Sequence, residues 1–251
     1  MLRITLSGNG RVASYFRQAL TQSPTIDWVG WYARRFSEGE KNESRVPLFR
    51  DPKELPEADL HLICISDDAI QSFVSQISVP GILAHTSGAL GLEVYRGNSD
   101  GGVFYPLQSF TDNQILNASQ IPICIEAPTQ NCREVLEELA QHLGLQHQYM
   151  NSVQRLQLHL AAVFANNFVN HQWTLAEKIC NQAQIPFQIL QPLIENSMKK
   201  MQELGPQRAQ TGPALRNDQK TLQKHIETLQ DKSLQDLYQQ LSASIQKSHE
   251  L

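Results

Sequence analysis

Through the first 150 positions, short apolar runs alternate with segments in which apolar residues fall at helical spacing. The runs predict strands at residues 3–7, 27–32, 46–49, 60–65, 82–85, 102–105 and 121–125. The run Leu60-His61-Leu62-Ile63-Cys64-Ile65 is nearly continuous, as expected of a parallel strand covered on both faces. A helix is predicted at about 131–143, stopped by Gly144, and the polar stretch 37–43 reads as a loop. Strands alternating with helices predict an α/β fold built on a doubly wound parallel sheet. Near residue 151 the pattern changes. Glutamine, leucine, alanine and lysine dominate, and helical periodicity is plain at 156–177, 219–229 and 234–245, broken by a Gly-Pro-containing loop at 204–217. The expected organisation is a sheet domain at 1–150 and an all-helical domain at 151–251.

Composition narrows the class. With 251 residues, 41% apolar and 18% charged, the chain suits one large or two modest globular domains. A net charge of −4 argues against a general nucleic-acid binder. Cys64, Cys124, Cys132 and Cys180 show no C-x-x-C spacing and read as free thiols, which suits a cytoplasmic protein. The chain enters its first strand without a signal-peptide pattern, and no apolar stretch is long enough to span a bilayer. No metal site is expected.

Chemistry enters where strands end. Gly8-Asn9-Gly10-Arg11-Val12-Ala13 follows the first strand and opens a helix, in the order G-x-G-x-x-A. The first glycine permits a tight turn. The second lets a pyrophosphate approach the backbone, and the small third residue lets helix pack on strand. This context predicts dinucleotide binding. After the second strand, an NAD-binding protein carries an acidic residue for the ribose hydroxyls. Here Arg34, Arg35 and Ser37 stand instead. Two guanidiniums and a hydroxyl suit a 2′-phosphate, so the expected cofactor is NADP.

Further strand ends carry Ser66-Asp67-Asp68, expected beside the cofactor with one aspartate capping the next helix, and His85-Thr86-Ser87-Gly88, expected near the nicotinamide. Phe104-Tyr105-Pro106-Leu107-Gln108-Ser109-Phe110 reads as a pocket wall. In the helical half, His159, Asn166 and Asn170 share one helix face, and Asn167 and His171 a neighbouring one. They would serve either a ligand or a hydrogen-bond network between helices. Thr211, Arg216 and Asp218 lie in a loop leading into a helix, where they would bind an anion or simply cap.

Taken together, these motifs resemble the family that joins an N-terminal Rossmann-like domain to a C-terminal helical domain of unknown function. That family is related to deazaflavin-dependent NADP oxidoreductases and pyrroline-5-carboxylate reductases. The resemblance implies a helical half of the 6-phosphogluconate dehydrogenase C-terminal type and a homodimer formed through it. It implies hydride transfer between NADP(H) and a small carbonyl, imine or deazaflavin substrate. Spacing and resemblance together nominate His159 as proton donor or polariser, with Asn166 positioning the substrate and Ser87 contacting substrate or nicotinamide. Thr86, Gln108, Thr211, Arg216 and Asp218 would bind substrate, and the glycine turn, Ser66, Asp67, Asp68 and His85 would hold the cofactor. Where the family usually has glycine after the arginine of the last motif, this chain has Asn217, which tolerates a left-handed turn. The rivals are a non-catalytic NADP-binding sensor and a methyltransferase, and Arg34 and Arg35 count against the latter.

Overall fold

The computed structural model describes residues 1–43, 46–95, 100–111 and 116–249. Eight strands form one sheet in the order β3-β2-β1-β4-β5-β6-β7-β8. They are β1 (Leu2–Ser7), β2 (Ile26–Tyr32), β3 (Leu48–Phe49), β4 (Leu60–Ile63), β5 (Ile82–His85), β6 (Gly101–Pro106), β7 (Ile123–Glu126) and β8 (His147–Tyr149). The first six run parallel, as the alternating pattern predicts. β7 pairs antiparallel with β6, and β8 runs parallel to β7. A parallel return to the sheet needs a crossover, usually a helix. The connection into β7 holds only a 3-10 turn at Ala118–Gln120 among the described residues, so the chain comes back the other way.

Helices cover both faces. On one, α1 (Arg11–Gln22) and α4 (Gln130–His142) bury Phe16, Leu20, Leu136 and Leu139 against Ile4, Leu6, Leu60 and Leu62. On the other, α3 (Asp67–Val74) packs Ile70, Phe73 and Val74 on Ile63 and Leu83. The alternation of inward residues along β4 therefore serves two cores. His61, between Leu60 and Leu62, is satisfied by Thr5 Oγ1 at 2.7 Å.

The polar stretch after β2 is not a loop. It forms the short helix α2 (Glu38–Glu43). Ser37 Oγ accepts the Glu40 N–H at 3.2 Å while the Glu40 carboxylate accepts the Ser37 N–H at 2.8 Å. This is a reciprocal cap of the Ser-x-x-Glu kind, and it outweighs the poor helix propensity of Gly39.

The chain divides into two compact units, Met1–Asn170 and His171–Leu251. The first ends with α5 (Ser152–Ala162), which starts on a capping box between Asn151 and Gln154 and runs into a π-helical stretch at Val163–Phe168. α6 (Val169–Gln182) begins with the last two residues of the first unit, and α7 (Gln191–Leu204), α8 (Pro206–Ala209), α9 (Gln219–Thr228) and α10 (Lys232–Ser248) follow in the second. The Gln235 amide donates to the carbonyls of Ile226 and Leu229, and His225 Nδ1 lies 2.8 Å from the Tyr238 hydroxyl, joining α9 to α10. All four cysteines are free thiols. Among the described residues no helix is long and apolar enough to cross a membrane, and no cluster of metal-ligating side chains occurs.

Candidate functional site

The carboxyl ends of β1, β2, β4, β5 and β6 open into one crevice of about 1390 Å³. Its position follows from topology, because β1 is where the strand order reverses. Gly8 sits at φ 124°, and any Cβ there would collide with the Cys64 carbonyl. The turn is pinned on both sides. Gly8 N–H donates to Tyr32 O at 2.8 Å, and the buried Trp31 indole N–H donates to Gly8 O at 2.8 Å. Gly10 is different: a Cβ built on it meets nothing within 4 Å. Gly10 also caps α1 without a side-chain hydrogen bond, and no acidic residue stands in the first turn of α1. The crevice therefore receives a helix N-terminus with room above it and no competing carboxylate.

Arg34 and Arg35 leave β2 exposed and line the same crevice. No carboxylate among the described residues pairs with either. Beside them, Asn9 Nδ2 donates to Arg35 O at 3.4 Å and to Glu40 Oε2 at 3.1 Å. Arg17 donates to the other Glu40 oxygen at 2.9 Å and lies 4.6 Å from the centroid of the Trp31 ring. Partial burial opposes ionisation of Glu40. The hydrogen bonds from the Ser37 N–H, Arg17, Asn9 and the Ser37 hydroxyl outweigh it and take the carboxyl down to about 2.

At the other end of the crevice stand Thr86, Ser87, Gly88, Tyr105 and His159. Ser87 Oγ accepts the N–H groups of Ala89 and Leu90, both at 3.1 Å, which leaves its hydroxyl proton to give away. The Tyr105 hydroxyl lies 3.1 Å from His159 Nδ1. Gly88 is what lets the pair close. A Cβ on it would fall 2.7 Å from His159 Nδ1 and 2.8 Å from the Tyr105 ring. Burial pushes the Tyr105 hydroxyl up, so it remains protonated.

One buried cation holds α5 in place. Arg155, only 1% exposed, pairs with Glu126 and donates to Leu90 O. Glu126 also takes the Ser152 N–H and hydroxyl, at 2.9 and 2.8 Å. Arg155 precedes His159 by one helical turn, so this anchor fixes the height of the histidine over β6.

Twelve of the sequence-nominated residues line the crevice: Gly8, Asn9, Gly10, Arg11, Val12, Arg34, Arg35, Ser66, Asp67, Thr86, Ser87 and His159. The others lie elsewhere. Ser37 caps α2. Ser66, not an aspartate, is the N-cap of α3, and Asp67 and Asp68 occupy the first turn, where their charge suits the helix dipole. His85 is fully enclosed. Its Nδ1 accepts the Ser87 N–H at 3.2 Å, Nε2 faces Gly91 O at 3.4 Å, and the ring stacks on Tyr95. Burial, and then the charge of Arg155, lower its pKa to about 4. Gln108 donates to Gln120 O at 3.1 Å, and Asn166 is exposed on the π-helical stretch. In the second unit, Asp218 caps α9 through the Thr221 N–H and hydroxyl, Thr211 and Arg216 are exposed, and Asn217 adopts φ 52°. Sequence reasoning read Tyr105 only as part of a pocket wall and Gly88 only as part of the motif near the nicotinamide, and it passed over Glu40 and Arg155. The Ser-x-x-Glu spacing and a lone arginine one turn before His159 were the signals available.

The described features are those of a known group of proteins. A family model described as "Domain of unknown function (DUF2520)" matches residues 121–245. A solved structure, "putative NADP oxidoreductase" from Bacteroides fragilis, is 32% identical over 100% of this chain and 98% of its own, with a TM-score of 0.86. The chain belongs to this family. An imine reductase from Myxococcus stipitatus, solved with NADP+, is 14% identical, with a TM-score of 0.71 over 98% of this chain and 93% of that one. A 1-pyrroline-5-carboxylate reductase from Streptococcus pyogenes is 12% identical, with a TM-score of 0.63 over 100% and 99%. At those identities the likeness is one of fold. No curated protein matches the sequence.

Proposed function

We propose that the chain is an NADP-dependent oxidoreductase that moves a hydride between NADP(H) and a small carbonyl or imine compound. The observation that carries this is one crevice with an open helix N-terminus and two arginines that pair with no carboxylate among the described residues toward one end, and the Tyr105–His159 pair toward the other. The name of the Bacteroides fragilis relative supports it. The residues present fit the cofactor. The empty space a Cβ on Gly10 would enter is the space a pyrophosphate needs, and Arg34 and Arg35 suit a 2′-phosphate. Gly8, Asn9, Gly10, Arg11 and Val12 would hold the pyrophosphate, with Ser66 and Asp67 alongside the ribose.

The bound cofactor supplies the hydride. The chain supplies the proton and the orientation. The Tyr105 O–H donates to His159 Nδ1, which puts the imidazole proton on Nε2. From there it passes to the oxygen or nitrogen of the substrate as that atom gains charge, while the Tyr105 proton moves onto Nδ1, so that His159 stays neutral and water reprotonates the Tyr105 oxygen. Ser87, with its proton free, hydrogen-bonds the same region. The test is loss of reduced-nicotinamide absorbance when NADPH meets a panel of small ketones, aldehydes and cyclic imines. Turnover that His159→Ala abolishes supports the reading. Tight NADPH binding with no turnover on any of them would favour a sensor.

Two copies would associate through helices. Leu156, Leu160, Phe164 and Phe168 recur every fourth residue and are 47–63% exposed. In the second unit, Ile189, Leu193, Met198 and Met201 are exposed as well, while Ala214 and Leu222 are its only buried apolar side chains among the described residues. Apolar rows of that extent mark an interface. Light scattering should give twice the 28.4 kDa chain mass, and Phe164→Glu should lower it.

A further inference from the structure

The Arg17–Glu40 pair stands beside the arginine end of the crevice and belongs to neither the glycine turn nor the Arg34–Arg35 pair. Glu40 is a carboxylate held against that end. One of its oxygens takes the amide of Asn9, a crevice residue whose other bond goes to the Arg35 carbonyl, and also the N–H of Ser37. A bare carboxylate there would act as the acidic residue after the second strand does in an NAD-binding site. It would repel a phosphate and accept from ribose hydroxyls. Arg17 removes that field. Its guanidinium donates to Glu40 at 2.9 Å and is braced 4.6 Å from the Trp31 ring centroid, and the two side chains keep only 29% and 20% of their exposure.

We propose that Arg17 is a specificity-determining residue: by neutralising Glu40 it leaves Arg34 and Arg35 as the net charge that meets the ligand, and so selects the 2′-phosphorylated dinucleotide. This rests on the proposed function, since it presupposes that the crevice binds NADP(H). Glu40 keeps its structural work in either state, as the cap of α2 and the acceptor for Asn9. Its charge, rather than its hydrogen bonds, is what Arg17 governs. The carboxyl is held at about 2, so the charge is constant across the working pH range.

The test is calorimetric titration of NADPH and NADH, at low and high salt, into the full chain and three variants whose folding is checked by thermal melting. Arg17→Met keeps an unbranched stem over Trp31 and removes the cation. It should weaken NADPH about three- to tenfold and leave NADH within about twofold, the loss shrinking in high salt. Glu40→Gln keeps an acceptor and removes the anion, and should tighten NADPH at low salt. The double variant Arg17→Met/Glu40→Gln should recover NADPH affinity to within about twofold of the unaltered chain, because the two charges cancel in both. If Arg17→Met leaves NADPH binding unchanged, or if it and the double variant lose both cofactors equally, the pair is structural and the inference is overturned. If the unaltered chain itself fails to prefer NADPH, the NADP reading falls first and takes this inference with it, an outcome visible before any variant is made.

Discussion

The Tyr105 hydroxyl and His159 Nδ1 lie 3.1 Å apart, with the two rings edge to face at 78°. One residue ends β6 and the other lies on α5, and Gly88 is the only kind of residue that fits between them. In the proposed mechanism the Tyr105 hydroxyl donates to Nδ1, and Nε2 then carries the exchangeable proton. Replacing His159 with alanine should lower kcat about 10²-fold or more while NADPH affinity stays within a few-fold. Tyr105→Phe should cost less, about tenfold in kcat, and shift the pH–rate profile. Steady-state kinetics with cofactor titrations checks both. Equal losses in cofactor binding would mean that the pair is structural.

The two glycines of the turn should fail differently. Gly8→Ala drives a Cβ into the Cys64 carbonyl at a positive φ and should destabilise the fold by about 2 kcal/mol or more. Gly10→Ala meets nothing in the protein. It should melt within a few degrees of the unaltered chain, yet bind NADPH at least about tenfold more weakly. Thermal melts paired with titrations separate the outcomes, and a Gly10→Ala variant with normal binding would remove the pyrophosphate from that place.

His85 predicts how stability depends on pH. Burial holds its folded pKa near 4, below the 6.5 of an exposed histidine. Between those values the unfolded chain binds the proton and the folded one does not, so stability rises with pH there. The contribution is complete above about pH 6.5 and falls progressively toward pH 4, by about 3 kcal/mol over the window. His61, also lowered by burial, adds to the slope in the same direction. Denaturant midpoints across this range should show it, and His85→Gln should flatten the curve. Unchanged midpoints between pH 6.5 and 4.5 in the unaltered chain would contradict the enclosure of His85.

The parts of this fold readable in sequence are those set by local pattern. Strand β4 is apolar because both its faces are covered, and G-x-G-x-x-A can be read because steric room is a property of single residues. Arg34 and Arg35 were legible because their offset from the glycines fixes their place. What escaped depends on partners distant in sequence. The reversal at β7 goes with a connector that holds no crossover helix among the described residues. His85 looked like a ligand residue because nothing in its neighbourhood announces Tyr95 or Gly91 folded around it. Arg155 finds Glu126 across 29 residues and Leu90 across 65. Glu40 was different: its capping partner is three residues away, but the acidic, glycine-containing stretch masks the signal. Leu204 to Asn217 read as one loop, but Pro206–Ala209 forms the short helix α8 within it, with the proline at its first position, and α7 just before it, rich in polar side chains, did not stand out as a helix.

The central claim is that the crevice selects a phosphorylated dinucleotide, and the most direct measurement is calorimetric titration of the purified chain with NADPH and, separately, NADH. Micromolar or tighter binding of NADPH, with NADH weaker by about tenfold or more, is the predicted result. Equal affinity for the two would contradict the role of Arg34 and Arg35, and no binding of either would contradict the account of the site as a whole.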